Sequence, residues 1–263
     1  MELFSISLPI IKKNDPLLDI IINSMKEQRK SLKDGDVVVI SEKVVATSQG
    51  RVINLNDVKN ISEKAKDMAK RYDMDERFVE LIERESSIIL GGLSNAHVIL
   101  AKVNDLLIAN AGIDQSNAGP DNVILLPKEP SKVANNYRNI LKEEFKVENL
   151  GIIIADSRVQ PLRKGTIGVA VATAGFEPIE DLIGKPDIFK RPLQITTRAI
   201  ADDLTSAAQF LLNEADQQTP VVIIRGANIE FTETPQLTTE ISVEEDLYMN
   251  IFSSYLLKKK EEN

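Results

Sequence analysis

Apolar runs and charged, helix-periodic stretches follow one another along the whole chain. DGDVVVIS reads as a turn leading into a buried strand over residues 37–40, with Ser41, Glu42 and Lys43 at its exit. LGIIIADS is a second fully apolar strand and ends in an acid, Asp156; TIGVAVATAG (166–175) and VVIIR (221–225) are two more. HVILAKVNDLLIANAG predicts a hairpin turning near Asn104 and Asp105, whose second strand delivers Asp114 at its exit. His97, the only histidine, stands at the hairpin start, where packing or solvent exposure is the simpler role.

Helical periodicity fills the intervals. Asp15 followed by Pro16 is a helix start, since Asp caps free amides and Pro at the first position sacrifices no intrahelical bond, and a helix over 17–32 follows. Residues 62–72 and 75–85 carry apolar faces at Ala65, Met68 and Ala69 and at Phe78, Leu81 and Ile82, their charges forming solvated faces. Ser131 caps a helix running to Phe145, and residues 201–213 form another. Ser242 with Glu245 makes a capping box before a final helix expected to dock through Leu247, Ile251, Tyr255 and Leu256. The sum is a mixed α/β (α+β) chain. No tandem repeat or Pro/Gly/Ser-rich linker interrupts it, so any division into domains is made by chain crossover.

Composition narrows the chemistry. With 263 residues, 43% hydrophobic and 27% charged, the chain can bury a substantial core in one or two domains. A net charge of −8 disfavours a broad nucleic-acid surface, which needs clustered Lys and Arg. The absence of cysteine excludes disulfides, thiolate metal sites and cysteine nucleophiles, leaving oxygen and nitrogen ligands. No signal-like N-terminus or membrane-length apolar run is present, so no membrane partner is expected and the cytoplasm is the default location.

NAGIDQSN, residues 110–117, places a carboxylate among turn-forming residues, and alone it is compatible with a plain turn. Asp114, Asp156 and Glu214 each end or follow an apolar segment, a distribution suited to Mg²⁺ or Mn²⁺, with surface acids, caps or a glycosidase-type carboxylate pair as alternatives. Neither GxxxxGK[ST] nor GxGxxG occurs, so phosphate binding would have to be metal-borne. DSRVQPLRKG joins Asp156 to Arg158, Arg163 and Lys164 within one loop, either an anion anchor or an ordinary surface loop.

NAGIDQSN, DSRVQPLRKGTIGVAVATAGFEPIEDLIGK and FLLNEADQQTPVVIIRGAN, with LPII near the N-terminus and VVISEKVVATSQGR after the first helix, together resemble the coenzyme F420-0:L-glutamate ligase family. The resemblance spans nearly the whole chain apart from the charged helical segment and the tail. It implies one ligase-like region over residues 1–263, an interleaved two-domain subunit, and a homodimer with active sites near the interface. It also implies GTP-dependent addition of L-glutamate to the carboxylate of F420-0, with Mn²⁺ or Mg²⁺ and with K⁺ as a further cation.

By similarity, Asp114 and Asp156 are the catalytic metal ligands, with Ser157 and Glu214 supplying further oxygens. Nucleotide contacts fall on Leu8, Pro9, Ile10 and Ile11, on Glu42, Lys43 and Thr47, on Asn117, and on the loop Asn213, Glu214, Ala215, Asp216, Gln217, Gln218, Thr219 and Pro220. Arg163 and Lys164 are candidate substrate anchors. Two departures stand out: ATSQGR replaces the family's SKAEGR, putting Thr47 where a lysine is usual, and Val159 and Gln160 replace a glycine-arginine pair. A paralogous ligase with another acceptor, or a noncatalytic nucleotide- or deazaflavin-binding module, are the alternatives; retention of Asp114 and Asp156 favours an enzyme.

Overall fold

A computed structural model describes residues 1–104, 106–213, 216–242 and 244–249. In chain order the elements are β1 (Glu2–Ile6), α1 (Leu17–Glu27), β2 (Asp36–Ser41), α2 (Glu42–Ser48), β3 (Val52–Asn54), α3 (Glu63–Tyr72) and α4 (Glu76–Glu85). Then come β4 (Ile88–Leu93), β5 (Val98–Val103), β6 (Leu106–Ala109), β7 (Asn122–Ile124), α5 (Pro130–Phe145), β8 (Leu150–Val159) and β9 (Thr166–Ala174). The remainder are β10 (Glu180–Asp181), β11 (Thr197–Arg198), α6 (Ile200–Leu212) and β12 (Val221–Arg225). The fold is α+β.

The main sheet has the order β1-β12-β2-β8-β9, parallel only between β2 and β8. Its apolar runs are continuous because both faces are covered. Val38, Ile40, Ile152 and Ile154 pack with residues of α1 and α5 on one face, while Val37, Val39, Ile153 and Ala155 pack with Ile200, Leu204 and Ala208 of α6 on the other. α6 lies close on β9, for a Cβ at Gly168 would stand 2.6 Å from the Thr205 carbonyl oxygen. A second apolar core joins α3 and α4 to the β4-β5-β6 sheet and to β7, through Phe78, Ile82, Ile99, Ile108 and Val123.

The main sheet gathers distant segments at one edge. Ile6 pairs with Val221, Val221 with Ile40, and Ser41 with Ala155. The outgoing ends of β1 and β2, the middle of β8 and the incoming end of β12 therefore meet there. Leu8 N–H donates to the Gln218 carbonyl at 3.0 Å and Ser41 N–H to the Pro220 carbonyl at 2.9 Å, which ties three of these segments together.

Several local expectations change. Asp15 does not cap α1: its Oδ2 accepts from Lys12 N–H at 2.7 Å, and Pro16 takes the cap position. α1 stops at Glu27 because Arg29 adopts left-handed φ and Lys30 N–H reaches back to Met25, so the helix ends short of Leu32. Pro130 rather than Ser131 opens α5. Asp156 is not at a strand exit, and DSRVQPLRKG is not one loop, because β9 keeps β8 paired as far as Val159 opposite Thr166. The Ser242–Glu245 capping contacts are present, with Glu245 N–H donating to Ser242 Oγ at 3.3 Å. Leu247 is 65% exposed, and Ile251, Tyr255 and Leu256 lie outside the described residues. No helix among the described residues is long and apolar enough to cross a membrane.

Candidate active site

Asp114 is positioned by backbone. Asn110, Ala111 and Gly112 all have left-handed φ, at 51°, 56° and 71°. A Cβ at Gly112 would lie 2.6 Å from the Leu126 side chain, so space as well as conformation requires glycine there. Left-handed Ala111 costs roughly 1 kcal/mol and is buried, held by the packing around it. Asn110 Oδ1 accepts from Ile99 N–H at 2.9 Å, and Asp114 exchanges both backbone hydrogen bonds with Ile124, at 2.9 and 2.8 Å. Asp114 thus follows a left-handed turn over Asn110–Gly112 after β6 rather than leaving the strand directly.

Its carboxylate is gripped by three donors. Lys43 Nζ stands 2.6 Å from Oδ2, Ser116 Oγ 2.8 Å from Oδ2 and Ser116 N–H 2.6 Å from Oδ1. Lys43 also donates to Ser116 Oγ at 2.7 Å. Burial opposes ionisation of Asp114, but the Lys43 ammonium and the Ser116 donors outweigh it and hold the carboxyl below its ordinary range. Ser116 was missed in the sequence; its signal was the D-x-S spacing of a side-chain-closed turn.

Glu42 and Asp156 behave oppositely. Burial, and then the charge of Asp156, push the Glu42 carboxyl well above its usual value. Its Oε2 meets no hydrogen-bond donor among the described residues. Burial likewise raises Asp156, against the pull of Arg158 and of the Ser157 N–H, which donates to Oδ1 at 2.7 Å. A β-bulge in the β8–β9 ladder falls immediately before Asp156, between Ile154 and Ala155.

Two cavities meet at these acids. The first, about 330 Å³, is walled by Leu8, Pro9, Ile10 and Ile11 from the segment after β1 and by Glu42, Lys43 and Thr47 of α2. Asn117 closes one side, and Asn213, Asp216, Gln218, Thr219 and Pro220 another. The second, about 720 Å³, has an apolar wall including Leu107, Ile113, Ile167 and Val169, and also takes in Val159 and Gln160. Asp114, Asp156 and Ser157 line both. Gln217 lines neither, and Glu214 and Ala215 lie outside the described residues. Arg163 and Lys164 sit exposed in the turn between β8 and β9, away from both walls. His97 is exposed, with Nδ1 2.6 Å from the Asp73 carbonyl oxygen.

These donors suit an open rather than a closed metal site. Among the described residues no three His, Asp or Glu side chains are grouped closely enough to enclose an ion. Mg²⁺ and Mn²⁺ often take one or two carboxylates and complete their shells with water and substrate phosphate. Asp114 and Asp156 on a shared wall, with the unmatched Glu42 oxygen on the first cavity's wall, supply hard oxygens of that kind. Lys43 already holds a positive charge against Asp114, so an ion there would compete with it.

A family profile described as F420-0:Gamma-glutamyl ligase matches residues 5–226. Coenzyme F420:L-glutamate ligase of Methanothermobacter thermautotrophicus is 36% identical over 219 residues, covering 83% of this chain and 86% of that protein. The same-named protein of Methanopyrus kandleri is 36% identical over 220 residues, covering 84% of each chain. That of Methanocaldococcus jannaschii is 33% identical over 250 residues, covering 95% of this chain and 97% of its own. With the profile spanning every segment that builds the two cavities except the stretch beyond β12, the chain belongs to the F420-0:gamma-glutamyl ligase family.

Proposed function

We propose that the protein joins L-glutamate through its amino group to the carboxylate of F420-0, consuming GTP and releasing GDP and phosphate. Membership of the family supports the reaction, and the observation that carries its location is the sharing of Asp114, Asp156 and Ser157 by two cavities. Such a junction lets a nucleotide in one cavity and an acceptor in the other bring reacting groups together, and positioning is most of what phosphoryl transfer asks of a protein.

Asp114 and Asp156 would hold Mn²⁺ or Mg²⁺, with Ser157 and Glu214 as further oxygens and K⁺ as an additional ion. Bound there, the divalent ion would neutralise phosphate charge. The first cavity takes the nucleotide, with Lys43 free to move from Asp114 to a phosphate oxygen. The acceptor carboxylate attacks the γ-phosphorus, the bond to the β-phosphate oxygen breaks, and GDP leaves. Glutamate's amine then attacks the acyl phosphate, expelling phosphate and losing a proton. The working unit is a homodimer of interleaved two-domain subunits.

The test is mass spectrometry of purified protein supplied with GTP, Mn²⁺, glutamate and F420-0. Glutamylated product should form in step with GDP, and omission of F420-0 should suppress GDP formation. Absence of product with either GTP or ATP would refute the reading. Val159 and Gln160, departures from the family pattern, line the second cavity, and they favour one alternative: a ligase of the same chemistry acting on another carboxylate acceptor. Product from such an acceptor, and none from F420-0, would select it.

A further inference from the structure

The junction poses an electrostatic problem. An acceptor carboxylate arriving from the second cavity comes up against Asp114 and Asp156, and with Lys43 and a divalent ion occupied by those acids and the nucleotide it needs a cationic partner of its own. Lys43 lines only the first cavity and is engaged with Asp114. Two cations belong to the second wall among the described residues, Lys102 and Arg158, and Lys102 donates to the Asn104 carbonyl.

Arg158 is placed differently. Its backbone is fixed in the β8–β9 ladder opposite Ile167, and its side chain is 12% exposed. The closest acid, Asp156, has Oδ2 3.6 Å from Nε, which is an ion pair without a hydrogen bond. Nε and Nη2 are both buried and meet no acceptor among the described residues. A buried guanidinium with unmet donors is costly, and a carboxylate that matches its planar fork relieves that cost. Asp202, also on the wall, accepts from Ala170 N–H at 2.8 Å.

We propose that Arg158 anchors the acceptor carboxylate at the mouth between the two cavities, with the apolar wall of the larger one receiving the acceptor's ring system. This rests on the ligase reading and adds to it the residue that pairs with the acceptor's own carboxylate. The anchor would orient one carboxylate oxygen towards the nucleotide while the other stays paired with the guanidinium. Arg158 is then a specificity residue for a negatively charged acceptor.

The experiment compares F420-0 with its carboxamide, in which the reacting carboxylate is capped, using full-length wild type, Arg158→Met and Arg158→Lys. Acceptor binding is read by fluorescence, Mn²⁺·GTP binding by calorimetry and turnover by mass spectrometry. Wild type should prefer the carboxylate about tenfold or more, the range expected of a charge-assisted hydrogen bond. Arg158→Met should lose that preference and raise the acceptor KM while nucleotide affinity stays within about twofold, and Arg158→Lys should keep a part of the preference. If Arg158→Met does not fold, Arg158→Lys decides, since an undiminished preference in it overturns the anchor. Arg158→Met that retains the full preference during normal turnover also overturns the anchor and leaves the ligase reading standing. Wild type that neither binds nor glutamylates F420-0 overturns both.

Discussion

Replacing Lys43 with methionine should separate metal binding from nucleotide binding. Lys43 Nζ lies 2.6 Å from Asp114 Oδ2 and 2.7 Å from Ser116 Oγ, with the two charged side chains 24% and 43% exposed. At that exposure water screens the pair, so it is worth about 1 kcal/mol. A divalent ion binding Asp114 must displace it, and Lys43→Met should therefore tighten Mn²⁺ alone by about fivefold. With nucleotide present the sign reverses. A lysine released to a phosphate oxygen contributes about 1.5–3 kcal/mol, so after the metal gain of about 1 kcal/mol is subtracted its loss weakens Mn²⁺·GTP by about 0.5–2 kcal/mol, roughly two- to thirtyfold.

Calorimetric titration of both proteins with Mn²⁺ and with Mn²⁺·GTP measures the two effects, and thermal unfolding checks that the variant folds. Opposite signs are the expected result. Weaker binding of Mn²⁺ alone would mean that Lys43 supports the metal site rather than competing for it. Unchanged Mn²⁺·GTP affinity would remove Lys43 from the nucleotide's reach.

Asp114→Asn and Asp156→Asn should each abolish the Mn²⁺-dependence of GTP binding while leaving a cooperative fold, since an amide is a poor ligand for a hard cation; unaltered titrations in both would remove the metal assignment. Thr47→Lys, on the first cavity's wall, should tighten GTP by about tenfold if the new ammonium reaches phosphate, and no change in affinity would place that wall position out of reach. Glu233, held down to about 2 by Arg138 and Lys142, contributes stability that is full above the ordinary value of 4.5 and is lost as pH falls towards 2. Its side chain is 67% exposed, so after screening Glu233→Gln should cost only about 1 kcal/mol at pH 7, and a denaturation gap that fails to close at low pH contradicts this. Ile188 and Phe189 are 90% and 72% exposed between β10 and β11; if they form the contact of the proposed homodimer, Ile188→Glu with Phe189→Glu should turn the dimer into a monomer by light scattering, and an unaltered dimer would put the interface elsewhere.

The apolar runs of β2 and β12 were legible because each is buried on both faces and bounded by turn or polar residues, and β12 falls at the expected residues. α3 and α4 were legible through their apolar faces at Ala65, Met68 and Ala69 and at Phe78, Leu81 and Ile82; the structure adds their caps, Ser62 and Asp75, whose side chains accept from Ala65 and Arg77 N–H groups. β1 was not, because its ELFSI pattern is short and becomes a strand only by pairing with β12, more than two hundred residues away. The β3–β7 pair has the same non-local origin. For the site, family resemblance placed Lys43 and Thr47 near Asp114 and Asn117; helical spacing alone could not, because they meet through α2 and the Asp114–Ile124 bridge.

Asp156 shows how a local pattern can describe only one side of a strand. An acid closing an apolar run looks like the end of a strand, and with respect to β2 it is one, since that partner stops at Ser41 opposite Ala155. On its other side β9 continues the ladder through Asp156–Val169, Ser157–Gly168 and Arg158–Ile167. The acid is therefore carried on a paired strand beyond the sheet edge, and its neighbours cannot turn away as loop residues would. Alternation along that strand puts Asp156 and Arg158 on the same side, which keeps a guanidinium within 3.6 Å of a buried carboxylate. The ladder fixes the backbone of this arginine, and among the described residues its Nε and Nη2 stay unmet beside the larger cavity.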